Sequence, residues 1–469
     1  MFKRRLMAAA VTMVFAGAAQ GQDAELAKIR EEIKQMKEGY EQRIQALEKR
    51  LSEAEGKAGK AEASAANAES AAQRASSRPA SENAFNPAIS LILGGTMSRT
   101  TQDPNTFQIT GFVPSGGEVG PPKRSFSLGE SELAIAANID HYFRGVGIFS
   151  LTPEDQAAVE EAYFQTLALP KGFLLKGGRF KSGIGYQNEI HAHAWDFVDA
   201  PLAYKAFLGG QLAEEGVQLK WVAPTDLFIE LGAELGRGKN FPASDREKNG
   251  IGSSSIFGHV GGDIGASLSW RAGLSNLRTS PKNRSYTDTD SLGGTVNNSF
   301  SGNTSLWLAD FVLKWAPNGN PTYNNFKLQA EYFRRKENGT LTYDDTGQAA
   351  PQFNAMFTDS FRTSQSGWYA QGVWQFLPQW RVGYRYDRLN FGTVNNGIVN
   401  NGLGPTAADF PVLSPHSPTR NTLMFDWNPS EFSRLRLQFA RYQSRLGASD
   451  NQIFVQYLYS LGAHGAHKF

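Results

Sequence analysis

Apolar side chains occupy every second position in short stretches of this chain, from about residue 130 to the C-terminus. One such series comprises Trp307, Ala309, Phe311, Leu313 and Trp315, with ionisable residues at 310 and 314 between its members. Because successive side chains of a strand point to opposite faces, the alternation predicts strands with one apolar and one polar face. Tryptophans bracket the apolar face, as in strands that cross lipid with indole rings at both interfaces. The pattern predicts an all-β transmembrane barrel.

The N-terminus has the parts of a secretory signal. Residues 3–5 are basic, residues 6–18 are mostly apolar, and Ala19 and Gly21 supply small side chains for cleavage. The apolar core is shorter than the roughly 20 residues that span a bilayer, which favours a signal over a membrane anchor. We expect residues 1–21 to be removed, so that the mature chain starts at Gln22.

Composition excludes several classes of protein. The chain has no cysteine, so it contains no disulfide, thiolate metal site or thiol nucleophile. Its 47 basic and 45 acidic residues give a net charge of +2, which does not suit a nucleic-acid-binding chain. No Gly-x-Ser-x-Gly motif occurs, and we expect neither an enzyme nor a resident cofactor.

Residues 22–78 predict a periplasmic coiled coil. Leu26, Ile29, Ile33, Met36 and Tyr40 are spaced by three and four, and the seam continues as alanines to Ala75. A single helix of this length is marginal in water, so the seam implies partners, most simply copies of itself. A lone flexible spacer is the alternative, because the second half is so rich in alanine. Residues 79–87 would form a linker.

Residues 88–469 predict the barrel, with about 16 antiparallel strands. The clearest strands are Glu132–Asp140, Ala162–Leu169, Gly216–Ala223, Leu227–Leu235, Leu306–Trp315, Lys327–Arg335, Trp368–Phe376, Arg381–Leu389, Leu423–Trp427, Leu435–Arg441 and Ile453–Tyr459. The first strand, Ile89–Met97, is interrupted by Gly94-Gly95. The best turn between residues 256 and 280 is Gly261-Gly262.

Connections between these strands alternate in length. Short turns containing proline follow residues 169, 223, 377 and 428, whereas long polar loops span 238–255, 279–304, 338–365 and 391–420. Bacterial outer-membrane barrels have short periplasmic turns and long extracellular loops. We therefore expect insertion in outer-membrane lipid of a Gram-negative bacterium, with the coil in the periplasm.

Two segments and the coiled coil resemble the phosphate-selective porin O and P family. The segments are Leu174–Gly183 and Trp195–Pro201. The resemblance implies a 16-stranded homotrimeric porin whose third extracellular loop, here about 186–214, folds inward and narrows the pore. The constriction would then be formed by Lys181, Glu189, Trp195, Asp196, Asp199 and Lys205.

The polar face of the predicted strands carries both signs of charge. The predicted pore lining is Lys220, Glu230, Asp310, Lys314, Lys327, Arg381, Arg385, Arg434 and Arg436, and further acidic residues at 132, 234, 331, 387 and 426 share this face. This mixed lining departs from the ladder of arginines and lysines in phosphate-selective members of the family. A lining with balanced charges selects ions poorly. The alternative is a salt-bridged network that stiffens the wall.

Four of the seven histidines form two close pairs, His191 with His193 and His464 with His467. Imidazole is a common ligand of zinc, copper and nickel, so either pair is a candidate site for a divalent metal. Glu189, Asp196 or Asp199 would supply further ligands at the first pair. Alternatively, these are polar residues without a ligand.

These observations predict a porin for passive diffusion of small hydrophilic solutes or ions. Two alternatives remain open. One is a periplasm-spanning tether with a closed barrel and a coil that contacts the cell wall, and the other is a porin dedicated to zinc uptake. Aromatic residues such as Trp195 either stack on sugars or anchor the loop, and anchoring is favoured.

Overall fold

The computed structural model describes residues 87–462, except 117–118, 130, 152–155 and 248, together with Glu31 and Lys34. The predicted signal peptide, almost all of the predicted coiled coil and linker, and the pair His464 and His467 lie outside the described residues and stay predictions. No helix in the described part is long and apolar enough to cross a membrane.

Within the described residues, eighteen strands form one antiparallel sheet. The first nine are β1 (Ala88–Thr100), β2 (Ser125–Leu128), β3 (Ser131–Asn138), β4 (Phe143–Leu151), β5 (Ala157–Thr166), β6 (Phe173–Lys181), β7 (Ala213–Val222), β8 (Phe228–Gly236) and β9 (Ser253–Ile264). The others are β10 (Leu268–Thr279), β11 (Arg284–Thr289), β12 (Thr295–Trp315), β13 (Asn325–Asp344), β14 (Met356–Leu377), β15 (Trp380–Asn396), β16 (Thr419–Ser430), β17 (Ser433–Arg445) and β18 (Ala448–Gly462). In the barrel part of the chain that the structure describes, two short α-helices lie in connections, α1 (Leu202–Leu208) and α2 (Gly397–Asn400).

The sheet closes on itself because β18 pairs with β1, from Ser90 opposite Gly462 to Thr100 opposite Gln452. The strands β2 and β3 pair with successive parts of β1, and β11 and β10 do the same along β12. Each of these two pairs therefore forms one barrel strand with an interruption. We call each complete barrel strand a stave, so the eighteen strands form sixteen staves. The predicted 16-stranded antiparallel barrel is confirmed.

The predicted interruption at Gly94-Gly95 lies instead in the neighbouring stave. β1 is continuous through both glycines, and the break falls between β2 and β3. Gly129 at this break donates its N–H to the Gly94 carbonyl at 2.9 Å. A Cβ on Gly129 would lie only 3.0 Å from the backbone of Gly94, so the close approach favours glycine.

Outward-facing residues form an apolar belt around the barrel. On β17 and β18, Leu437 lies opposite Val455 and Phe439 lies opposite Ile453, and all four side chains are exposed. The intervening inward residues, such as Arg436, are buried. This alternation suits lipid outside and polar groups inside, as the sequence predicted.

Two predicted boundaries need correction. Gly261-Gly262 is not a turn, because both glycines pair with β10 and the turn falls at 265–267, where Gly265 has a φ of 64°. The predicted loop 338–365 consists largely of strand, since β13 and β14 continue to a connection at 345–355. Beyond the lipid both faces of a strand meet water or polar loops, so the apolar alternation that marks a strand is lost there.

The two ends of the barrel differ. The short-turn end carries the connections 139–142, 223–227, 265–267 and 378–379, and the long-loop end carries 182–212, 237–252, 345–355 and 397–418. The outward rings of Trp380 and Trp427 stack with centroids 6.0 Å apart beside the short turns, where an interfacial aromatic girdle belongs.

The lipid-facing position of Val455 is testable by introducing a charge. We expect Val455→Arg to lower the free energy of unfolding by roughly 2 to 4 kcal/mol, because arginine near the bilayer midplane is poorly solvated. Asn451→Arg, on the same face of β18 but near its long-loop end, is the matched control and should cost about 0 to 1 kcal/mol. Urea unfolding in lipid vesicles measures both, and equal losses would contradict this placement of Val455.

Candidate functional site

The connection between β6 and β7, residues 182–212, enters the barrel and is named the inward loop. The family resemblance implied such a loop at about 186–214. It contains α1, whose seven residues are all buried, including Lys205. The helix follows Pro201 and ends at Gly209, which has a left-handed φ of 68° and donates its N–H to the Tyr204 carbonyl. The Leu202 N–H at its start donates to Asp387 of β15 at 2.8 Å, which anchors the helix to the wall.

Asp199 fixes the loop through buried cations. Arg420 of β16 donates to both carboxylate oxygens at 2.6 and 2.7 Å, and Lys205 donates at 2.9 Å. Arg385 donates to the Asp199 carbonyl at 2.9 Å. Burial alone would raise the pKa of Asp199, but the charges of Arg420, Lys205 and Arg385 outweigh it and hold the pKa well below its ordinary value. The ionised form therefore stabilises the loop above the unfolded pKa, and this contribution is lost only as the pH falls through the folded pKa.

Asp196 anchors the loop on another part of the wall. Its carboxylate forms ion pairs with Lys327 of β13 and, at 3.4 Å, with Arg381 of β15. Burial raises its pKa, but Lys327 and Arg381 together lower it to about 2. Arg436 of β17 donates to the backbone carbonyl of Trp195 at 3.0 Å. Trp195 and Asp196 are thus held against three strands, β13, β15 and β17.

Carboxylates of the wall in turn accept hydrogen bonds from the loop. Glu331 of β13 accepts from the Gln187 N–H at 2.9 Å and from the Tyr204 hydroxyl at 2.8 Å. Glu234 of β8 accepts from the Gly183 N–H at 2.8 Å. Since a loop inside a barrel must satisfy its backbone donors without bulk water, these contacts explain why acidic residues face inward here.

Apolar contacts fill the barrel beside α1. Phe207 stacks on Phe333 of β13 with centroids 6.0 Å apart, and Phe112 from the β1–β2 connection meets Phe207 edge-on at 5.8 Å. Inward-facing wall residues complete this core, namely Phe257, Leu277, Leu306, Leu308, Phe333 and Leu389. These residues interrupt the polar inward face, and this interruption is the sequence signal that marks where the lumen is packed.

A cavity of about 1730 Å³ occupies the rest of the lumen, between the inward loop and the short-turn end. Its lining carries eight basic side chains, Arg144, Lys176, Lys181, Lys220, Arg271, Lys314, Lys327 and Arg381. Seven acidic side chains share it, Glu132, Glu161, Glu189, Asp196, Asp226, Glu230 and Asp263. The lining of this cavity therefore carries both signs of charge in near balance.

The predicted site residues divide into two groups. The cavity is lined by Lys181, Glu189, Asp196, Lys220, Glu230, Lys314, Lys327 and Arg381. The remaining predicted residues are packed away from it, namely Trp195, Asp199, Lys205, Asp310, Arg385, Arg434 and Arg436. Trp195, Asp199 and Lys205 were expected at the constriction and the other four as lining. All of them except Asp310 bind or belong to the loop anchors. Asp310 lies beside His259 instead, with its Oδ2 4.0 Å from Nε2 of the ring.

His191 and His193 meet a group of glutamates on the facing wall. Their rings stack with centroids 5.7 Å apart, and Glu132 Oε2 lies 3.0 Å from Nδ1 of His191 and 3.3 Å from Nδ1 of His193. Glu160 Oε2 lies 3.1 Å from the same His191 nitrogen, and Glu161 Oε2 lies 3.0 Å from Nε2. Burial and Lys181 would each lower the pKa of His191, but the three carboxylates outweigh them and raise it well above its ordinary value.

A strand irregularity brings two of these glutamates together. The register between β4 and β5 shifts so that Ile148 pairs with Glu161 and Phe149 pairs with Val159, which leaves Glu160 as the extra residue of a β-bulge. Glu160 and Glu161, although adjacent in sequence, therefore both reach His191. The carboxylates expected beside the histidines are engaged elsewhere, Glu189 with Lys220 and Asp196 and Asp199 with the anchors described above.

Comparison with known proteins gives one relative of substantial identity. No family model matches the chain. An uncharacterized protein of Aquifex aeolicus (strain VF5) is 31% identical over 418 residues, which cover 83% of this chain and 81% of that protein. The chain belongs to the family of this protein.

Solved structures of outer-membrane proteins are similar to this chain at low sequence identity. OmpT of Vibrio cholerae, in a trimer form, is 11% identical with a TM-score of 0.47, covering 80% of this chain and 99% of that chain. The outer membrane channel DcaP of Acinetobacter baumannii is 12% identical with a TM-score of 0.45, covering 81% and 99%. The anion-selective porin from Comamonas acidovorans is 11% identical with a TM-score of 0.45, covering 80% and 99%.

The loop anchor at Asp199 is testable by an isosteric change. Asp199→Asn leaves Arg420 and Lys205 buried without their paired carboxylate, whereas Arg385 keeps its ion pair with Asp387 at 3.0 Å. We expect a loss of roughly 3 to 5 kcal/mol in the free energy of unfolding. The inward loop should also become sensitive to limited proteolysis. Asp245→Asn removes an exposed ion pair with Arg237 and should change neither measurement. A loop equally resistant in both variants would refute the anchoring role.

Proposed function

We propose that this protein is a porin of the outer membrane that conducts small hydrophilic solutes or ions passively through the barrel, with no chemical step. The observation that carries the proposal is the polar cavity of about 1730 Å³ inside a closed sixteen-stave barrel. Barrels of this size enclose an aqueous channel unless loops fill them. Here the cavity extends from the inward loop toward the short-turn end.

The proposed selectivity is weak. Both signs of charge are interspersed around the lining. Arg144 lies on β4, the strand between those that carry Glu132 and Glu161. On the other side of the lumen Asp196 pairs with Lys327 and Arg381. Cations and anions would therefore each meet charges of opposite sign along the cavity. Strong phosphate selectivity, which the family resemblance suggested, is not part of the proposal, because acidic residues interrupt the basic lining.

The proposed assembly is a homotrimer with its short-turn end in the periplasm. Short periplasmic turns and long outer loops are the rule in bacterial outer-membrane barrels. The tether hypothesis depends on the predicted coiled coil and on a closed barrel, whereas the polar cavity favours conduction. Bilayers containing the purified protein should show conductance steps in groups of three, and silent bilayers would refute the porin proposal.

The absence of cysteine from the chain allows a single-site accessibility test. Ala134 of β3 lines the cavity, and its neighbour Ile135 faces the other side of the same strand. We expect a water-soluble, charged methanethiosulfonate to reduce the current of Ala134→Cys, because the adduct adds bulk and charge to the conducting path.

Ile135→Cys is the matched control, and its current should not respond. Mass spectrometry of the recovered protein distinguishes an unreacted thiol from a silent adduct. An adduct on Ala134→Cys that leaves the current unchanged would mean that ions do not pass through this cavity.

A further inference from the structure

We propose that His191, His193, Glu132 and Glu160 form a binding site for a divalent first-row transition metal between the inward loop and the barrel wall. Glu132 lies on β3, Glu160 lies in the bulge of β5, and both histidines belong to the loop. The proposal goes beyond conduction, because the site is defined by binding and is measured on protein that need not conduct.

Three distances between the proposed ligand atoms are close to those of a tetrahedral site. A zinc ion with bonds of about 2.0 to 2.1 Å holds its ligand atoms roughly 3.3 Å apart. Glu132 Oε2 and His191 Nδ1 are 3.0 Å apart, Glu160 Oε2 and His191 Nδ1 are 3.1 Å apart, and Glu132 Oε2 and His193 Nδ1 are 3.3 Å apart. The ligand atoms of Glu132, Glu160 and His191 all lie within 4.8 Å of one another. Small side-chain movements would thus complete the site.

The contact of Glu161 with His191 is a second and independent feature of metal sites. Histidines that bind a metal through one ring nitrogen usually donate the other N–H to a carboxylate, which fixes the ring and its tautomer. Glu161 Oε2 lies 3.0 Å from Nε2 of His191, on the side of the ring away from Glu132. Its other oxygen accepts the backbone N–H of Lys181 at 2.8 Å, so Glu161 is itself held in place.

Local charge also favours a divalent cation. Glu132, Glu160 and Glu161 carry three negative charges, and the nearest fixed cation is Lys181, whose Nζ lies 3.2 Å from Glu160 Oε2. A metal on Nδ1 of His191 would displace the proton from that nitrogen. With both imidazoles then neutral, the three glutamates and Lys181 have a net charge of −2, which one divalent ion balances. An ion can reach the group from the short-turn end, because Glu132, Glu161, His191 and His193 line the cavity.

Lys181 is the competitor for the site. Its Nζ lies 3.1 Å from Nδ1 of His191, the nitrogen that would bind the metal, and 3.1 Å from Oε1 of Gln211. A bound ion must displace this ammonium from His191. Removing the ammonium should therefore strengthen metal binding, whereas in a purely structural ion-pair network it would create no affinity for metal.

The experiment is a calorimetric titration of the full chain in detergent with zinc alone. All variants carry His464→Ala and His467→Ala, so that the C-terminal pair cannot contribute. We expect one zinc per chain in this background, an affinity reduced at least ~100-fold by the double change His191→Ala and His193→Ala, and a reduction of ~10 to 100-fold by Glu161→Gln. Lys181→Met should raise the affinity.

His416→Ala is the matched control, since His416 lies outside the cavity lining, binds the Gln443 carbonyl, and should not affect zinc. Heat-modifiable migration on gels verifies folding of each variant.

Absence of zinc binding in the background protein, or binding unchanged after both loop histidines are replaced, would overturn the proposal. If the variant with both His191→Ala and His193→Ala does not fold, Lys181→Met tests the proposal by itself. A zinc affinity of Lys181→Met no higher than that of the background protein would then overturn it. The current of the unmodified barrel is a separate readout, so failure of this site leaves the porin proposal intact.

Discussion

The constraint on which this structure depends is the need to pair every backbone N–H and C=O in a medium that offers no water. A strand has unpaired groups along both edges, and in lipid each one costs several kcal/mol. Pairing of β18 with β1 removes the last two edges and closes the sixteen staves into a barrel. Successive side chains of a strand point to opposite faces, so every second side chain of the closed barrel faces the lipid. Apolar residues at these positions form the belt.

Closure creates a second problem inside the barrel, because a lumen this wide is not filled by wall side chains alone. The inward loop fills part of it and brings its own unpaired backbone groups. Glu234 and Glu331 accept N–H groups of the loop, while Arg434 and Arg436 donate to its carbonyls. The buried charges on the wall are thus largely partners of a loop that has no regular sheet hydrogen bonds.

The sequence predicted the strands better than it predicted the roles of their inward charges. Alternation identified strands such as Leu423–Trp427 and Ile453–Tyr459, since the apolar face is a local signal. It did not reveal that β13 and β14 continue beyond the lipid, where both faces are polar. Lys220 and Arg385 were both predicted as basic residues of the pore lining. Lys220 does line the cavity, whereas Arg385 is buried beside Asp199 of the inward loop. The path of the loop decides which wall residues it covers.

By itself, the sequence determined the barrel class and the approximate number of staves, because a period of two and the positions of turns are properties of neighbouring residues. The inward loop that carries the histidine pair was implied by the family resemblance. Only the tertiary structure decided what surrounds that pair. Glu132, Glu160 and His191 are separated by tens of residues along the chain, and a β-bulge and the entry of the loop into the barrel bring them together. Contacts of this kind depend on strand register and loop path, which residue spacing does not encode.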